Sequence, residues 1–371
     1  MVNLFILLGD FKNIFSWLRM KGKSLINLAM FMAFGLVIFI LYLYFFVGFG
    51  ELMEVFNQVN PYEYFTYYSL TIIVMIVSML FYSMSWNELL KILSIKVGLK
   101  NAFLYCWLGN FVDLILPLET ISGEITRIFL IHRETGDSSG KIVATVIGHR
   151  IITTFMTLSG LLLATMLFLL RYKGSSEVLY LLFAVLSGSL FLIGAMLYLS
   201  LREKAAEKLI DFPLKAVSFL TRDRLNLSEI KEKIRRNLLH FHESFKTFGR
   251  RPRALTKSIL YSFIAWFFHL SIYFLVFYAL GFSEISAKIY ETIIVYSISV
   301  AVQTVPIALP LGLVEIVMTS LYALFNIPAA IGGAATLLIR VVTFWLQILV
   351  GYAMAQWIGV KKLLAQVHKK H

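Results

Sequence analysis

The sequence predicts an all-α polytopic membrane protein, with about six full transmembrane helices and two broken, re-entrant helical hairpins in an inverted-topology repeat. Three observations predict it. Of 371 residues, 59% are hydrophobic and only 15% are charged, whereas a soluble domain runs at about 45–50% and about 25%. Six stretches reach the roughly 20 apolar residues that a span requires. Two more apolar regions are interrupted by Pro, Gly and charge. A soluble fold of this length could not hide so much apolar surface in one core.

Along the chain, residues 1–24 set Phe5, Leu8, Phe15 and Leu18 against Asp10, Lys12 and Arg19. That pattern is too interrupted to span and lacks a small-residue cleavage site, so an interfacial amphipathic helix is expected. The six spans fall at 25–47, 64–84, 142–170, 177–200, 258–280 and 329–358. The first broken region, 101–132, holds Pro117, Glu119, Gly123, Glu124 and Arg127. The second, 288–327, holds Pro306, Pro310, Gly312 and Glu315. Pro removes a backbone donor and clashes with the preceding turn, so Pro117, Pro306 and Pro310 are read as hairpin breaks. Broken backbone at membrane depth survives only where protein or a polar cavity covers it.

Charge sets the expected orientation. The net charge is +13, which in a soluble protein would suggest nucleic acid. Here the basic residues gather in loops, which predicts that those loops face the cytosol. Lys12, Arg19, Lys21 and Lys23 precede the first span, and Lys91, Lys96 and Lys100 follow the second. The loop at about 48–63 carries Glu51, Glu54 and Glu63 without Lys or Arg. Both termini are therefore expected in the cytosol, in the plasma membrane, with the 359–371 tail basic. The 201–257 insert carries Arg235, Arg236, Arg250, Arg251 and Arg253. Helices are expected at 201–210 and 228–248, lying on the anionic lipid leaflet rather than on nucleic acid. The single cysteine, Cys106, gives neither a disulfide framework nor a cysteine metal site. No metal-ligand, Walker A or nucleophile-elbow motif occurs, so no cofactor, metal or direct ATP drive is expected.

The string Ala144–Phe155 reads against Ala335–Phe344 with two short gaps. Upstream of each lies a Pro…Gly…Glu turn: Pro117, Gly123 and Glu124, then Pro310, Gly312 and Glu315. Glu124 precedes Arg150 by 26 residues, and Glu315 precedes Arg340 by 25. Each half (25–170 and 177–358) thus reads as span, span, broken hairpin, span. The first starts in the cytosol and the second outside, an arrangement that suits a transporter with its site near the midplane.

The candidate binding residues follow from depth and charge. Arg150 lies about 12 Å and Arg340 about 17 Å into their spans at ~1.5 Å per residue. Charges so deep must pair or line a wet cavity. One reading is a Glu–Arg pair locking each hairpin to its following span. The other is that Arg127, Arg150 and Arg340 grip an anion, since guanidinium forks match phosphate oxygens. Amides near Gly123 or Gly312 would add donors, and Glu124 and Glu315 would orient the arginines. Both readings can hold together. Asp113 pairs with Arg127, lines the cavity, or sits at the interface. Gln303, Gln347 and His269 read as interhelical hydrogen-bond partners, and His149 as a partner or proton relay.

The order Asn110…Leu116-Pro117…Gly123-Glu124-x-x-Arg127, then Arg150, Pro310-x-Gly312-x-x-Glu315 and Arg340 resembles the flippase-like transmembrane domain of lysylphosphatidylglycerol synthases, including the UPF0104 group. The resemblance covers about 25–358. It implies a membrane protein that moves a phospholipid or lipid-linked anionic headgroup between leaflets. In the full-length synthases a soluble domain transfers the aminoacyl group. This chain ends at His371, soon after its last span, so no transferase domain and no enzyme activity are expected. Two alternatives stand beside the flippase: a membrane subunit for a separate soluble aminoacyl- or glycosyltransferase, and an ion-coupled small-anion transporter.

Overall fold

The computed structural model describes residues 37–115, 121–171, 176–207, 227–303 and 311–368, and among these every regular element is helical. The expected 1–24 helix, residues 25–36 of the first span, Pro117, Glu119, Pro306, Pro310 and residues 369–371 lie outside the described residues. Five helices are long and apolar enough to cross a membrane, or six if one bent pair counts as a span, among the described residues.

That bent pair comes first. Helix α1 (Val37–Phe45) meets α2 (Phe49–Gln58) at 86°. The corner is Gly48, at φ +81°, a conformation that glycine adopts without penalty. The segment expected as an acidic loop at 48–63 therefore contains a helix. Glu51 opens its first turn while Leu52 is buried, so the acidic residues line the outer side of an amphipathic turn.

Helix α3 (Pro61–Ile92) starts on the cap of Asn60, whose side chain accepts from the Tyr62 N–H at 3.0 Å, with Pro61 in the first turn. It packs along α9 (Pro252–Ala279) through small hydroxyls. Ser78 donates to the Ala265 carbonyl at 2.9 Å. Ser85 lies 2.9 Å from the Ser258 hydroxyl and 2.7 Å from that of Ser262. Small polar residues let helices approach closely and satisfy one another in an apolar medium.

The first broken region forms two limbs, α4 (Leu99–Ile115) and α5 (Ile121–Thr135), packed on each other. A long span, α6 (Ser139–Arg171), follows, and then α7 (Ser176–Leu201). The second broken region likewise forms two packed limbs, α10 (Ile289–Gln303) and α11 (Leu313–Leu324). The last span departs from the expectation of one regular helix over 329–358. It runs as α12 (Ala329–Arg340), a π-helical turn (Val341–Trp345) and α13 (Leu346–His368). π turns interrupt α-helices mostly as single insertions, often at functional sites.

The basic insert carries helix α8 (Leu227–Arg250). Its apolar face is not left for lipid. Ile234, Phe241, Phe245 and Phe248 are buried, and the three Phe share a core with Trp86, Leu89 and Ile142. Gly140 at the start of α6 touches the α8 backbone at Asn237 so closely that a Cβ there would collide with it. Arg235, Arg236, Arg250, Arg251 and Arg253 remain exposed. A second core gathers α9, α10, α11 and α12 around Phe277, Val295, Met318 and Ile339.

Candidate functional site

Each broken region meets its following span through a carboxylate and an arginine. In the second region, Glu315 Oε1 accepts from Arg340 Nε at 2.5 Å, with the side chains 3% and 6% exposed. The other carboxylate oxygen, Oε2, accepts from the Gly312 N–H at 2.7 Å. Glu315 therefore closes the first turn of α11 and binds Arg340 with the same group. The Arg340 guanidinium also lies 4.7 Å from the Phe344 ring centre, inside the π turn.

In the first region the corresponding pair is looser. Arg150 Nε lies 4.0 Å from Glu124 Oε1, with the side chains 25% and 23% exposed. The capping task falls here to Asp113, at the end of α4. Asp113 Oδ1 accepts from the Gly123 N–H at 2.6 Å and from the Ser122 hydroxyl at 2.8 Å. The limbs meet this closely because of two glycines. A Cβ on Gly123 would collide with Asp113 and the Gly109 carbonyl, and a Cβ on Gly109 would lie 3.0 Å from the Gly123 carbonyl. The amides of Gly123 and Gly312, read from sequence as free donors, are thus both engaged by carboxylates. Asp113 serves as a cap on α5.

Arg127 is buried on α5, with its guanidinium 5.1 Å from the Trp86 ring centre and 6.0 Å from that of Tyr82. These are cation–π distances, and Trp86 is itself held by an indole N–H to Thr145 Oγ1 hydrogen bond of 3.1 Å. The buried His149 ring sits 4.4 Å from that of Tyr82. Tyr82 thus gathers Arg127 and His149 near the Glu124–Arg150 pair. Arg340 and Glu315 form their own cluster in the other half. Asn110 bridges to the last span, donating to Gln347 Oε1 at 3.3 Å.

Beyond Tyr82 lies a cavity of about 220 Å³, walled by α3, α6, α7, α9 and α10. Among the described residues, Arg150 alone of the three arginines lines it, and no Asp or Glu does. From Arg150, Thr153, Thr154, Thr157 and Leu161 follow along one face of α6. Across from them, α9 and α10 contribute Trp266, His269, Tyr296, Ser297 and Gln303. His269 is not the satisfied interhelical partner expected: its Nε2 is buried without a hydrogen bond, as are Trp266 Nε1 and Ser297 Oγ. The α6 stripe is visible in the sequence, three, four and seven residues after Arg150. The α9 and α10 residues carry no local signal. Among the described residues no group of three or more His, Cys, Asp or Glu side chains gathers as a metal would require.

Comparison with known proteins gives the family. The pattern of the family described as lysylphosphatidylglycerol synthase TM region matches residues 32–351. A UPF0104 membrane protein of Pyrococcus horikoshii is 26% identical over 76% of this chain and 84% of its own length. One from Methanothermobacter thermautotrophicus is 23% identical over 84% of this chain and 90% of its own. One from Methanocaldococcus jannaschii is 26% identical over 85% and 90%. No solved structure matches the chain. With apolar helices long enough to span and a match across most of its length, this chain is a multi-pass membrane protein that belongs to the lysylphosphatidylglycerol synthase TM region family.

Proposed function

We propose that the protein is a flippase-like transporter, moving the anionic headgroup of a phospholipid or lipid-linked molecule between the leaflets of the plasma membrane. One observation carries this reading. A cavity walled by apolar helices holds a single cation among the described residues, Arg150, whose carboxylate partner Glu124 stands 4.0 Å away rather than in tight contact. A phosphate entering there would replace Glu124 as the partner of Arg150, and charge-assisted bonds to an arginine fork suit that oxyanion. Acyl or prenyl chains would stay in the bilayer.

The inverted repeat supplies the cycle. Both halves join a broken region to its following span by a Glu–Arg pair, and the two pairs differ in closure. In the mirrored state Glu124 closes on Arg150 while Glu315 releases Arg340, and access changes sides. Both termini face the cytosol, and the exposed arginines of 201–257 rest against the anionic leaflet. With the apolar face of α8 buried in the bundle, this contact is electrostatic, at about 1 kcal/mol per basic side chain near the surface.

The test is reconstitution into liposomes with a fluorescent phospholipid in the inner leaflet, followed by its arrival outside. Wild type transports faster than empty liposomes, and Arg150→Ala and Arg340→Ala both fall to the empty-liposome rate. Wild-type transport no faster than empty liposomes overturns the reading. Transport of a soluble anion with no lipid movement assigns the cavity to a small-anion transporter instead.

A further inference from the structure

The basic insert holds a buried histidine between two helices. His242 on α8 is 1% exposed, and both of its ring nitrogens lie against backbone carbonyls. Nδ1 is 2.9 Å from the Leu238 oxygen of its own helix, and Nε2 is 3.2 Å from the Leu199 oxygen in the last turn of α7. We infer that His242 is a pH-operated latch: its protonated ring pins the end of α7 to α8, and loss of the proton frees that end. The latch stands on these contacts alone and is independent of what the cavity carries.

Counting donors gives the charge state. A carbonyl oxygen only accepts, so both contacts are hydrogen bonds only when both nitrogens carry hydrogen, as they do in the imidazolium ring alone. In the neutral ring one nitrogen turns its lone pair toward an oxygen, and that contact becomes repulsive. The Leu199 carbonyl suits a cation. It is among the last four carbonyls of α7, which have no regular helical partner, at the negative end of the helix dipole. Its neighbour, the Tyr198 carbonyl, takes the Arg202 N–H at 2.9 Å, and the Leu199 oxygen is left for His242. Other charged groups stand apart, and among the described residues no ion pair includes His242. On α8, His240, Glu243 and Lys246 are exposed, as is Arg253 on α9. Beyond α7, Arg202 and Lys204 are exposed and Glu203 is half-buried, while Glu207 lies 3.9 Å from Arg235. Glu88 of α3 and Asp137 before α6 are each held by a lysine, Lys91 and Lys141.

The latch acts on a wall of the cavity. Helix α7 lends Val185 and Leu192 to that wall and is the least buried of the five candidate spans. On it, Gly188 and Gly194 have open space where a Cβ would stand. Among the described residues, the His242–Leu199 bond is the one hydrogen bond that ties α7 to another element. A span so thinly held responds to a single bond at its end. Histidine changes charge between about pH 5 and about pH 8. The latch is therefore closed at the acid end of that range and opens as pH rises through it. One net hydrogen bond shifts such an equilibrium about fivefold.

The experiment measures the separation of α7 and α8 in the purified full-length protein in detergent, by double electron–electron resonance. Nitroxide labels go on Tyr198→Cys and Leu239→Cys, both at exposed positions, while the native Cys106 is buried and stays in place. At about pH 5 one short separation is expected, and at about pH 8 the population at longer separation rises about fivefold. His242→Gln and His242→Leu, which cannot titrate, each remove this pH dependence, and Glu207→Gln keeps it. Ring ¹⁵N resonances of the unsubstituted protein at about pH 5 should include a histidine with both nitrogens protonated that is missing from the His242 variants. Separations that do not change with pH in the wild-type background overturn the latch, as does a His242 ring that is neutral at the acid end. A pH response that survives in both His242 variants overturns it too. A response lost in Glu207→Gln moves the switch to the Arg235–Glu207 pair and removes it from His242.

Discussion

Replacing Arg340 and Arg150 in turn should separate a structural ion pair from an exchangeable one. Arg340 meets Glu315 at 2.5 Å with both side chains at or below 6% exposure. Removing one member of such a pair strands the other in a dry interior, at about 3–5 kcal/mol. Arg150 meets Glu124 at 4.0 Å with about a quarter of each side chain exposed, a geometry worth only about 0–1 kcal/mol. Equilibrium unfolding in mixed detergent–SDS micelles should therefore rank Arg340→Ala as severely destabilised and Arg150→Ala as close to wild type. Glu315→Gln sharpens the comparison. Its amide oxygen can still accept from the Gly312 N–H, so its loss isolates the charge on Arg340. A Glu315→Leu, Arg340→Met double variant should recover most of the stability, since a packed apolar pair avoids the buried charge. Equal losses for Arg340→Ala and Arg150→Ala, or a stable Glu315→Gln, would refute the distinction between closed and open pairs.

Other substitutions probe neighbouring features. Gly123→Ala should cost about 1–3 kcal/mol by overpacking, because its Cβ meets Asp113 and the Gly109 backbone, while Gly98→Ala, with open space around it, should unfold like wild type. Gly140→Val should lift α8 off α6 and raise hydrogen exchange across Leu227–Arg250; unchanged protection there would mean that the insert is held by other contacts. Phe241→Ala, in the same contact, should lose roughly 3–5 kcal/mol, measured by the same unfolding assay. Reversing Arg235 and Arg236 to Glu should leave stability unchanged and weaken the dependence of reconstituted activity on anionic lipid, read by varying vesicle composition.

Much of the fold is legible in the sequence because membrane depth makes polar residues conspicuous. Gly123 with Glu124, and Gly312 with Glu315, stand out in apolar surroundings, and the structure begins its second limbs within two residues of each glycine, at Ile121 and Leu313. The spacing from each Glu to its Arg carries the pairing, since about 25 residues is one limb, a turn and part of a span. The hidden features are of two kinds. Helix α2 reads as a loop when its charges are counted without the period of Leu52, Val55 and Phe56. The cavity is half visible: the α6 stripe after Arg150 has a helical period, but Trp266, His269 and Ser297 lie more than 100 residues away and look like ordinary span residues. Only tertiary packing brings them opposite Arg150. Nothing in the run Val341–Trp345 marks a π turn, because it contains neither Gly nor Pro.

That π turn gives the last span two bearings. In a regular helix Arg340, Gln347 and Gly351, spaced by seven and then four residues, would fall on one stripe. One added residue in the wide turn offsets α13 from α12 by about 100°, the angular step of a helical residue. Arg340 consequently reaches Glu315 in the second half, while Gln347 and Gly351 reach Asn110 and Phe111 in the first. A single rod thus keeps two partners in phase from different sides. Its timing depends on one residue of surplus, so deleting the exposed Val341 should knock the halves out of step while leaving Arg340, Gln347 and Gly351 in the sequence.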